Sequence, residues 1–510
     1  MPRPSALKLP RISGKLTNWQ LTAGAATLGL VISAGAVAAA GPWDSSGQRT
    51  AERVRAASRD AGGGADHGGP GAGRVPETAP SARTVLAGIG APAGTAPVPT
   101  ERALADVLDP LLRDRALGPE RAAVVVDAAT GKRVYGKDAG RGLTPASTVK
   151  IATAVAALSA LGPDHRIATR AVLEPGGQGD TPGVVLVGGG DPTLTAREHG
   201  RYTDTAASLR RLAEDTARAL KARHVEKVKL SYDTSLYTGP AQHPIGPNEN
   251  ITLVSALMAD EGRLDDSSSG PAPRSGDPAG DATEKFADFL EDHGIKAERT
   301  EQSEQSERTG ARKDSRRARA SERSEPLAKV ESPPLSALVE RMLTHSDNDI
   351  AEALARQTAV AAKEKASFKG ADRAVRARLA KLGMPLSGAE FADGSGLDRA
   401  GRVSADLLAA LLDKATDPAR PELRSAVTGL PVAGFTGTLV DRYPKDSPGT
   451  GVVRAKTGTL TGVNTLAGTV VDADGRLLVF AFMTTGTTDP QAAQKTLDKM
   501  ASTLANCGCR

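Results

Sequence analysis

The chain has 510 residues, enough for two or three domains. A hydrophobic content of 39% and a charged content of 25% are typical of a globular protein, and the aromatic content of 3% means that the core depends on Val, Leu, Ile and Ala. The net charge of +5 arises from 65 basic and 60 acidic residues. This small and scattered excess argues against nucleic acid as a partner.

Cysteine and histidine are too sparse for a disulfide framework or a typical metal site. The two cysteines, Cys507 and Cys509, lie in a CGC tail, and the seven histidines are dispersed along the chain. The sequence contains no HExxH motif and no paired CxxC motifs. We therefore expect neither a metal site nor a cofactor.

Residues 1–43 are predicted to be a signal peptide or a membrane anchor. Basic residues precede an apolar run from Leu21 to Ala40, and about 20 apolar residues are enough to cross a bilayer as a helix. Trp19 and Trp43 bracket the run, which favours the anchor, whereas the small residues of AVAAAG would allow cleavage. In both cases the rest of the chain is expected outside the cytoplasm. The alternative, a buried helix of a soluble protein, does not explain these flanks.

Residues 44–100 are rich in Gly, Ala, Pro and Ser and are predicted to form a disordered linker, because such a segment buries too little apolar surface to fold. The pattern ERALADVLDPLL then predicts a helix from residue 101. Two strands are predicted next, RAAVVVDAA and KRVYGK, with a turn between them.

The following segment, TPASTVKIATAVAALSALG, is predicted to be one helix that is capped by Thr144 and stopped by Gly162. Ser147 would lie in its first turn, at the positive end of the helix dipole, with Lys150 one turn further on the same face. A lysine in a desolvated pocket has a lowered pKa and can take a proton from a neighbouring hydroxyl. The SxxK pair alone is equally explained by a capped core helix.

Residues 171–329 differ in character and are predicted to form an inserted α/β module. A strand pattern, GVVLV, precedes an amphipathic helix, YTDTAASLRRLAEDTARALKA, and a second strand, VEKVKLSYDTSLY. Low-complexity loops interrupt the module, among them a Ser/Glu/Arg-rich stretch at 300–325.

Residues 330–510 are predicted to complete a discontinuous domain with residues 101–170. Helical patterns run through much of 335–416, and three strands and a closing helix follow. The expected fold class is α+β, with a sheet that draws on both ends of this part of the chain and with the module inserted in between.

Two further motifs change the interpretation of the SxxK pair. Ser346, Asp347 and Asn348 stand directly before an apolar helix, and Lys456 to Thr459 read KTGT in a strand-like context. Each motif alone is explained by helix capping or by a solvated strand end. Together and in this order, the three motifs form the signature of the serine penicillin-binding proteins and β-lactamases.

The resemblance can be narrowed by four more stretches, since class A β-lactamases place the first two motifs much closer together. These stretches are GGGDPTL, LVSALMADEGR, DGSGLDRAGRVS and LPVAGFTGTLVDR. Over about residues 101–505 the chain resembles the D-alanyl-D-alanine carboxypeptidase/endopeptidases of peptidase family S13, the class C low-molecular-mass penicillin-binding proteins.

The resemblance implies a penicillin-binding-protein or β-lactamase type transpeptidase domain, an antiparallel sheet flanked by helices, and a set of catalytic residues. Ser147 would attack the carbonyl between the two terminal D-alanines, with Lys150 as the acylation base. Ser346 and Lys456 would relay the proton toward the leaving amine. Asn348 would hold the substrate amide and steady the base.

The same resemblance implies the substrate-binding residues. Thr457, Gly458 and Thr459 would receive the terminal carboxylate, and the backbone N–H groups of Ser147 and Thr459 would form the oxyanion hole. His345 invites a Ser-His-Asp interpretation, but two motif lysines make a structural or solvated histidine the better expectation. The DGSG stretch is expected to be a tight turn near the site.

The expected function is that of an exported serine DD-peptidase acting on peptidoglycan stem peptides, with β-lactam antibiotics as inhibitors. The membrane would be a further partner if the N-terminal helix is uncleaved. Two alternatives stay open: a β-lactamase-related hydrolase, and a non-catalytic module that binds cell wall or senses β-lactams. Five motif side chains argue against the non-catalytic module, since a pure binder needs no such set.

Overall fold

The computed structural model of the protein describes residues 96–175, 181–299 and 317–510. The predicted signal or anchor at 1–43 lies outside these residues, as do most of the linker at 44–100 and most of the Ser/Glu/Arg-rich stretch. Within the described ranges, no helix combines the length and the apolar character that a membrane span requires.

The secondary structure alternates between helices and strands along the described chain. The α-helices are α1 (Glu101–Leu112), α2 (Lys150–Leu161), α3 (Leu209–Lys221), α4 (Pro278–Asp292), α5 (Leu335–His345), α6 (Asn348–Ala361), α7 (Phe368–Lys381), α8 (Ala405–Thr416), α9 (Ser425–Thr428) and α10 (Pro490–Ala505). The strands are β1 (Glu120–Asp127), β2 (Lys132–Lys137), β3 (Ala168–Leu173), β4 (Gly183–Val187), β5 (Lys227–Asp233), β6 (Lys296–Arg299), β7 (Glu325–Glu331), β8 (Arg454–Leu460), β9 (Val463–Val471) and β10 (Leu477–Thr485).

The first sheet joins the two ends of the described chain. Its strand order is β2-β1-β10-β9-β8, and every neighbouring pair is antiparallel. Side chains of β1 alternate between the two faces. Val124 packs in a core with α2, α5, α6, α7 and α8, whereas Val125 packs in a second core with α1 and α10. The predicted α+β fold, an antiparallel sheet flanked by helices, is confirmed.

The second sheet is mixed and lies within residues 168–331. Its order is β6-β5-β4-β3-β7, with β4, β5 and β6 parallel and both β3 pairings antiparallel. Apolar residues of α3 and α4 share a core with this sheet. The helix predicted to start at Tyr202 begins later, at Leu209, because the Ser208 side chain caps it by accepting a hydrogen bond from the Arg211 N–H.

The prediction of one helix capped by Thr144 is wrong. A 3-10 turn over Ala146–Val149 comes first, and α2 begins only at Lys150. Ala146 has a φ of +46°, in the left-handed region, so the chain cannot enter the helix smoothly from the residues before it. The Thr144 hydroxyl therefore donates to the Arg399 carbonyl at 3.4 Å instead of capping a helix.

A buried ion pair connects β1 to the turn before β10. The Arg476 guanidinium donates to both carboxylate oxygens of Asp127, at 2.6 and 2.7 Å, and the two side chains are 2% and 0% exposed. Removing one partner of such a pair leaves the other charge buried without compensation.

We expect Asp127→Ala to lower the free energy of unfolding by about 3 kcal/mol or more, as measured by urea denaturation. Asp474→Ala, which removes the partner of the exposed Arg510, is the matched control and should have a much smaller effect. Equal losses in the two variants would contradict the prediction. Replacing both partners, as in Asp127→Leu with Arg476→Met, should recover part of the loss because no lone buried charge remains.

Candidate active site

The nucleophile candidate and its lysine lie at the start of α2. Ser147 is part of the 3-10 turn and is partly exposed, whereas Lys150 is fully buried. The Lys150 Nζ lies 3.1 Å from the Ser147 Oγ. A hydroxyl open to the cleft is thus in hydrogen-bond contact with a desolvated amine, the geometry that a general base requires.

Lys150 has two other acceptors, and each comes from a distant part of the chain. Its Nζ donates to the Asn348 Oδ1 at 2.7 Å and to the Ser395 carbonyl at 2.6 Å. Burial lowers the pKa of Lys150 to about 8, although nearby carboxylates oppose the shift. A neutral amine keeps two N–H groups for Asn348 and Ser395, which leaves its lone pair facing the Ser147 hydroxyl.

The second motif lies at the break between α5 and α6. Ser346 ends α5 in the left-handed conformation, with φ 58° and ψ 37°, and is partly exposed. Asp347 caps α6 by accepting a hydrogen bond from the Ile350 N–H at 2.9 Å. Asn348 is the first residue of α6, and its Nδ2 donates to the Asn250 carbonyl at 2.9 Å. The break therefore directs Asn348 toward Lys150 while α6 itself stays capped.

The third motif lies on β8, at the edge of the first sheet. Lys456 is fully buried, and its Nζ donates to the Thr457 carbonyl at 2.9 Å. Burial, and then the charges of Lys150 and Arg442, hold the pKa of Lys456 well below its usual range. The hydroxyls of Thr457 and Thr438 lie 2.8 Å apart, which fixes the side chain of Thr457.

Gly458 and Thr459 complete this edge. A Cβ on Gly458 would lie 2.1 Å from the Thr465 Oγ1 and 2.8 Å from the Pro145 carbonyl, so only glycine lets β8 approach the turn that carries Ser147. Thr459 is exposed, and its hydroxyl accepts a 3.4 Å contact from the Gln494 Nε2. The structure thus places the KTGT motif beside the SxxK turn.

A buried charge cluster ties the second motif to the segment 249–274. Arg274 pairs with Asp349 at 2.9 Å, and Arg341 pairs with Glu261. The Glu261 carboxylate also accepts from Arg263 at 2.8 Å. Glu261, Asp347 and Asp349 lie close enough together to share a cation, but the three arginines already supply the positive charge. The donor set therefore does not fit a metal ion.

The structure also describes His345 and the DGSG stretch, for which the sequence predicted a structural role. His345 lies with its Nε2 2.6 Å from the Tyr202 hydroxyl, which is a structural contact rather than a catalytic dyad. The DGSG stretch was expected only as a turn near the site, yet its Ser395 carbonyl contacts Lys150 directly. The sequence gives no signal for this contact because a backbone carbonyl is common to every residue.

The chain matches the D-Ala-D-Ala carboxypeptidase 3 (S13) family over residues 104–309 and 268–507. It belongs to this family. The predicted enzyme class, a serine-type D-Ala-D-Ala carboxypeptidase, is confirmed, since the match covers both the motifs and the segment between them.

Relatives of this S13 chain include a carboxypeptidase from Mycobacterium tuberculosis, which is 36% identical over 444 residues, covering 86% of this chain and 91% of the relative. Carboxypeptidase DacB from Mycolicibacterium smegmatis is 35% identical over 424 residues, covering 81% and 86%. Penicillin binding protein 4 from Haemophilus influenzae superposes with a TM-score of 0.61 at 21% identity, covering 79% of this chain and 100% of that one. The last likeness shows a shared penicillin-binding-protein fold.

Proposed function

We propose that this S13 chain is an exported DD-peptidase that cleaves the terminal D-Ala-D-Ala bond of peptidoglycan stem peptides, and cross-linked peptides of the same chemistry, through an acyl-enzyme on Ser147. The observation that carries the proposal is the 3.1 Å contact between the Ser147 hydroxyl and the buried Lys150 amine. Both lie in a cleft to which Asn348 and the KTGT strand also contribute.

Acylation begins when neutral Lys150 takes the hydroxyl proton as Ser147 Oγ attacks the carbonyl carbon of the penultimate D-alanine. The backbone N–H groups of Ser147 and Thr459 stabilise the negative oxygen of the tetrahedral intermediate, and losing one such donor typically costs about 10²–10³ in rate. When the C–N bond breaks, the proton taken up by Lys150 is relayed through Ser346 and Lys456 to the leaving amine, so that Lys150 is neutral again. Water then attacks the ester with Lys150 again as base, which releases the shortened peptide and restores the serine.

Substrate orientation depends on the two edges of the cleft. Asn348 accepts from Lys150 through its Oδ1, and the amide group of the same side chain would hold the substrate amide. Thr457, Gly458 and Thr459 bind the terminal carboxylate, because buried Thr457 is fixed by Thr438 while exposed Thr459 is open to a ligand.

β-Lactams are proposed to acylate the same serine, since their strained amide presents the same reacting carbonyl. A second structure of the Haemophilus influenzae penicillin binding protein 4 contains a novel β-lactam, and its fold matches this chain with a TM-score of 0.56 at 20% identity. No cofactor enters the reaction, because each step uses side-chain or backbone groups of the chain.

We propose a discontinuous catalytic domain at 101–170 and 330–510, with an inserted domain at 171–329. Residues 1–43 would direct export as a signal peptide or stay as a membrane anchor, and 44–100 would be the linker. The first sheet supports this division because its strands come from the two outer segments.

The proposal is tested by incubating residues 101–510 with a fluorescent penicillin and, separately, with a stem pentapeptide ending in D-Ala-D-Ala. Long-lived labelling together with D-alanine release supports it. Rapid turnover of penicillin without D-alanine release would favour a β-lactamase-related hydrolase. Penicillin labelling without any release of D-alanine would favour a module that senses β-lactams.

The rate constant of penicillin acylation is expected to rise with pH and to reach half its plateau near pH 8. Lys150 must be neutral to accept the proton, and burial lowers its pKa from the usual value to about 8. The fraction of neutral amine therefore grows as pH increases through that value, so the rate rises rather than falls. Stopped-flow or quenched labelling between pH 6 and 10 measures the profile, and a flat profile would contradict the role of Lys150.

A further inference from the structure

Three buried titratable side chains lie behind the DGSG turn, outside the motifs that define the site. His243 belongs to the segment between the first two motifs, Glu352 lies on α6, and Asp393 begins the turn. All three are at most 7% exposed. The His243 Nε2 lies 3.1 Å from the Asp393 Oδ2 and 3.8 Å from the Glu352 Oε1.

The Asp393 carboxylate organises its own turn. It accepts hydrogen bonds from the Ser395 hydroxyl at 3.0 Å, from the Gly396 N–H at 2.7 Å and from the Asp398 N–H at 2.8 Å. Together with His243, these donors occupy both oxygens of the carboxylate. The hydrogen bonds therefore hold the backbone of the turn in one position relative to Asp393.

Glu352 fixes the other side of the same turn. Its Oε1 accepts from the backbone N–H groups of Gly394 at 3.0 Å and Ser395 at 2.9 Å. The Ser395 carbonyl then points to the Lys150 Nζ at 2.6 Å. The Gly394 carbonyl accepts from the Thr153 hydroxyl at 2.7 Å, so both peptide units that flank Ser395 have all their polar groups paired, with Lys150 as the partner of the Ser395 carbonyl.

The turn also contacts the nucleophile's own backbone. Gly396 has a φ of +82°, and a Cβ there would lie 1.9 Å from the Ala146 carbonyl, directly before Ser147. A displacement of the turn would therefore affect both Ser147 and Lys150.

We propose that His243 and Asp393 are positioning residues for the acylation step: with Glu352 they hold the Ser395 carbonyl against Lys150 and so fix the place and the protonation state of the base. The inference rests on the proposed function of Ser147 and Lys150, and it assigns the segment between the first two motifs a direct part in that function. Neither residue touches the substrate in this role.

The charges around Lys150 make the proposal measurable. The carboxylates of Asp393, Asp347, Glu352 and Asp349 all raise the pKa of Lys150 against the larger lowering by burial. The other buried lysine of the site, Lys456, has a pKa that is held well below its usual range first by burial and then by the charge of Lys150.

Within the cluster, burial lowers the pKa of His243, but the hydrogen bond that its Nε2 makes to Asp393 and the charge of Glu352 outweigh this and raise it. Asp398 contributes in the same direction. Burial, followed by the charge of Asp393, raises the pKa of Glu352 to about 7. Variants of His243 and Glu352 therefore change the local charge in opposite directions.

The experiment measures the acylation rate constant of the whole chain with fluorescent penicillin from pH 6 to 10. His243→Asn removes a contact to Asp393 and the imidazole whose raised pKa favours a positive charge beside the carboxylates, so the plateau rate is expected to fall about 10-fold or more and the midpoint to move up. Glu352→Gln keeps an oxygen acceptor but removes a negative charge, so its midpoint is expected to move down. His293→Asn, at the end of α4, is the matched control and should leave plateau and midpoint unchanged.

Midpoint shifts of opposite sign support the proposal. If both variants melt at lower temperature but keep the wild-type midpoint and plateau, the cluster is merely structural and the proposal is overturned. Asp393→Ala is expected to lower the plateau about 100-fold, and if it does not fold, the other two variants still decide. Penicillin should still label Ser147 in His243→Asn, only more slowly. If the proposed function were wrong, the wild-type protein itself would not be labelled, so the two failures can be told apart.

Discussion

Ser147→Ala is expected to abolish covalent labelling by fluorescent penicillin and to lower D-alanine release by at least about 10⁴-fold, the scale seen when an enzyme loses its nucleophile. The substitution removes only one contact of Lys150, the one at 3.1 Å, and its other two acceptors, Asn348 and Ser395, stay in place. The variant should therefore fold normally. Gel fluorescence, intact mass and a coupled D-alanine assay measure the outcome.

Ser235→Ala makes the same chemical change at an exposed serine after β5 and should leave labelling and release unchanged. Peptide mapping of the penicillin adduct on wild type should find it on Ser147. Labelling that persists in Ser147→Ala would mean that another hydroxyl is the nucleophile, and the partly exposed Ser346 would be the first to examine.

Lys150→Met is expected to lower the acylation rate constant by about 10²–10⁴-fold, the usual contribution of a general base. Methionine fills a similar volume in the buried site but takes no proton. Lys150→Arg separates two explanations, because a guanidinium keeps the positive charge and does not deprotonate in proteins. If the positive charge were all that mattered, Lys150→Arg would stay active.

Stopped-flow labelling measures both Lys150 variants, and Lys365→Met at an exposed position is the control. Thermal denaturation checks that each variant folds, since the Asn348 Oδ1 and the Ser395 carbonyl lose their donor. Unchanged acylation in a folded Lys150→Met protein would transfer the role of base to Lys456, the other buried amine of the cleft.

The two lysines differ in what surrounds them, which supports different roles. Lys150 has three polar partners and four carboxylates nearby, so its pKa falls only to about 8. Lys456 has one carbonyl partner, and the cations Lys150 and Arg442 add to its burial. An amine with a pKa near 8 changes protonation in the working range of pH, which suits it to take a proton and return it.

Local patterns in the sequence were sufficient for much of the secondary structure and for the motifs. Helix α1 and helix α10 begin and end where the patterns predict, because apolar spacing and caps are local properties. The spacing of Ser147 and Lys150 likewise predicts their contact, since three residues make about one helical turn. The order of the three motifs, together with four further stretches of sequence, then identified the family without any knowledge of the contacts between them.

The start of α2 was not predictable in the same way. Thr144 and Pro145 have the composition of a helix start, but β8 and the DGSG turn press against Pro145 and Ala146 and impose a positive φ on a non-glycine residue. Tertiary packing overrode a local preference of about 1 kcal/mol for a capped helix.

By itself the sequence determined the α+β class, the contact between Ser147 and Lys150 and the family, because these depend on residue type and short spacing. Only the tertiary structure decided that the Ser395 carbonyl contacts Lys150 and that His243, from the segment between the first two motifs, contacts Asp393 of the same turn. Such contacts join positions far apart in the chain and use backbone groups that every residue carries. Their energy comes from burial in a shared interior, which no local pattern records.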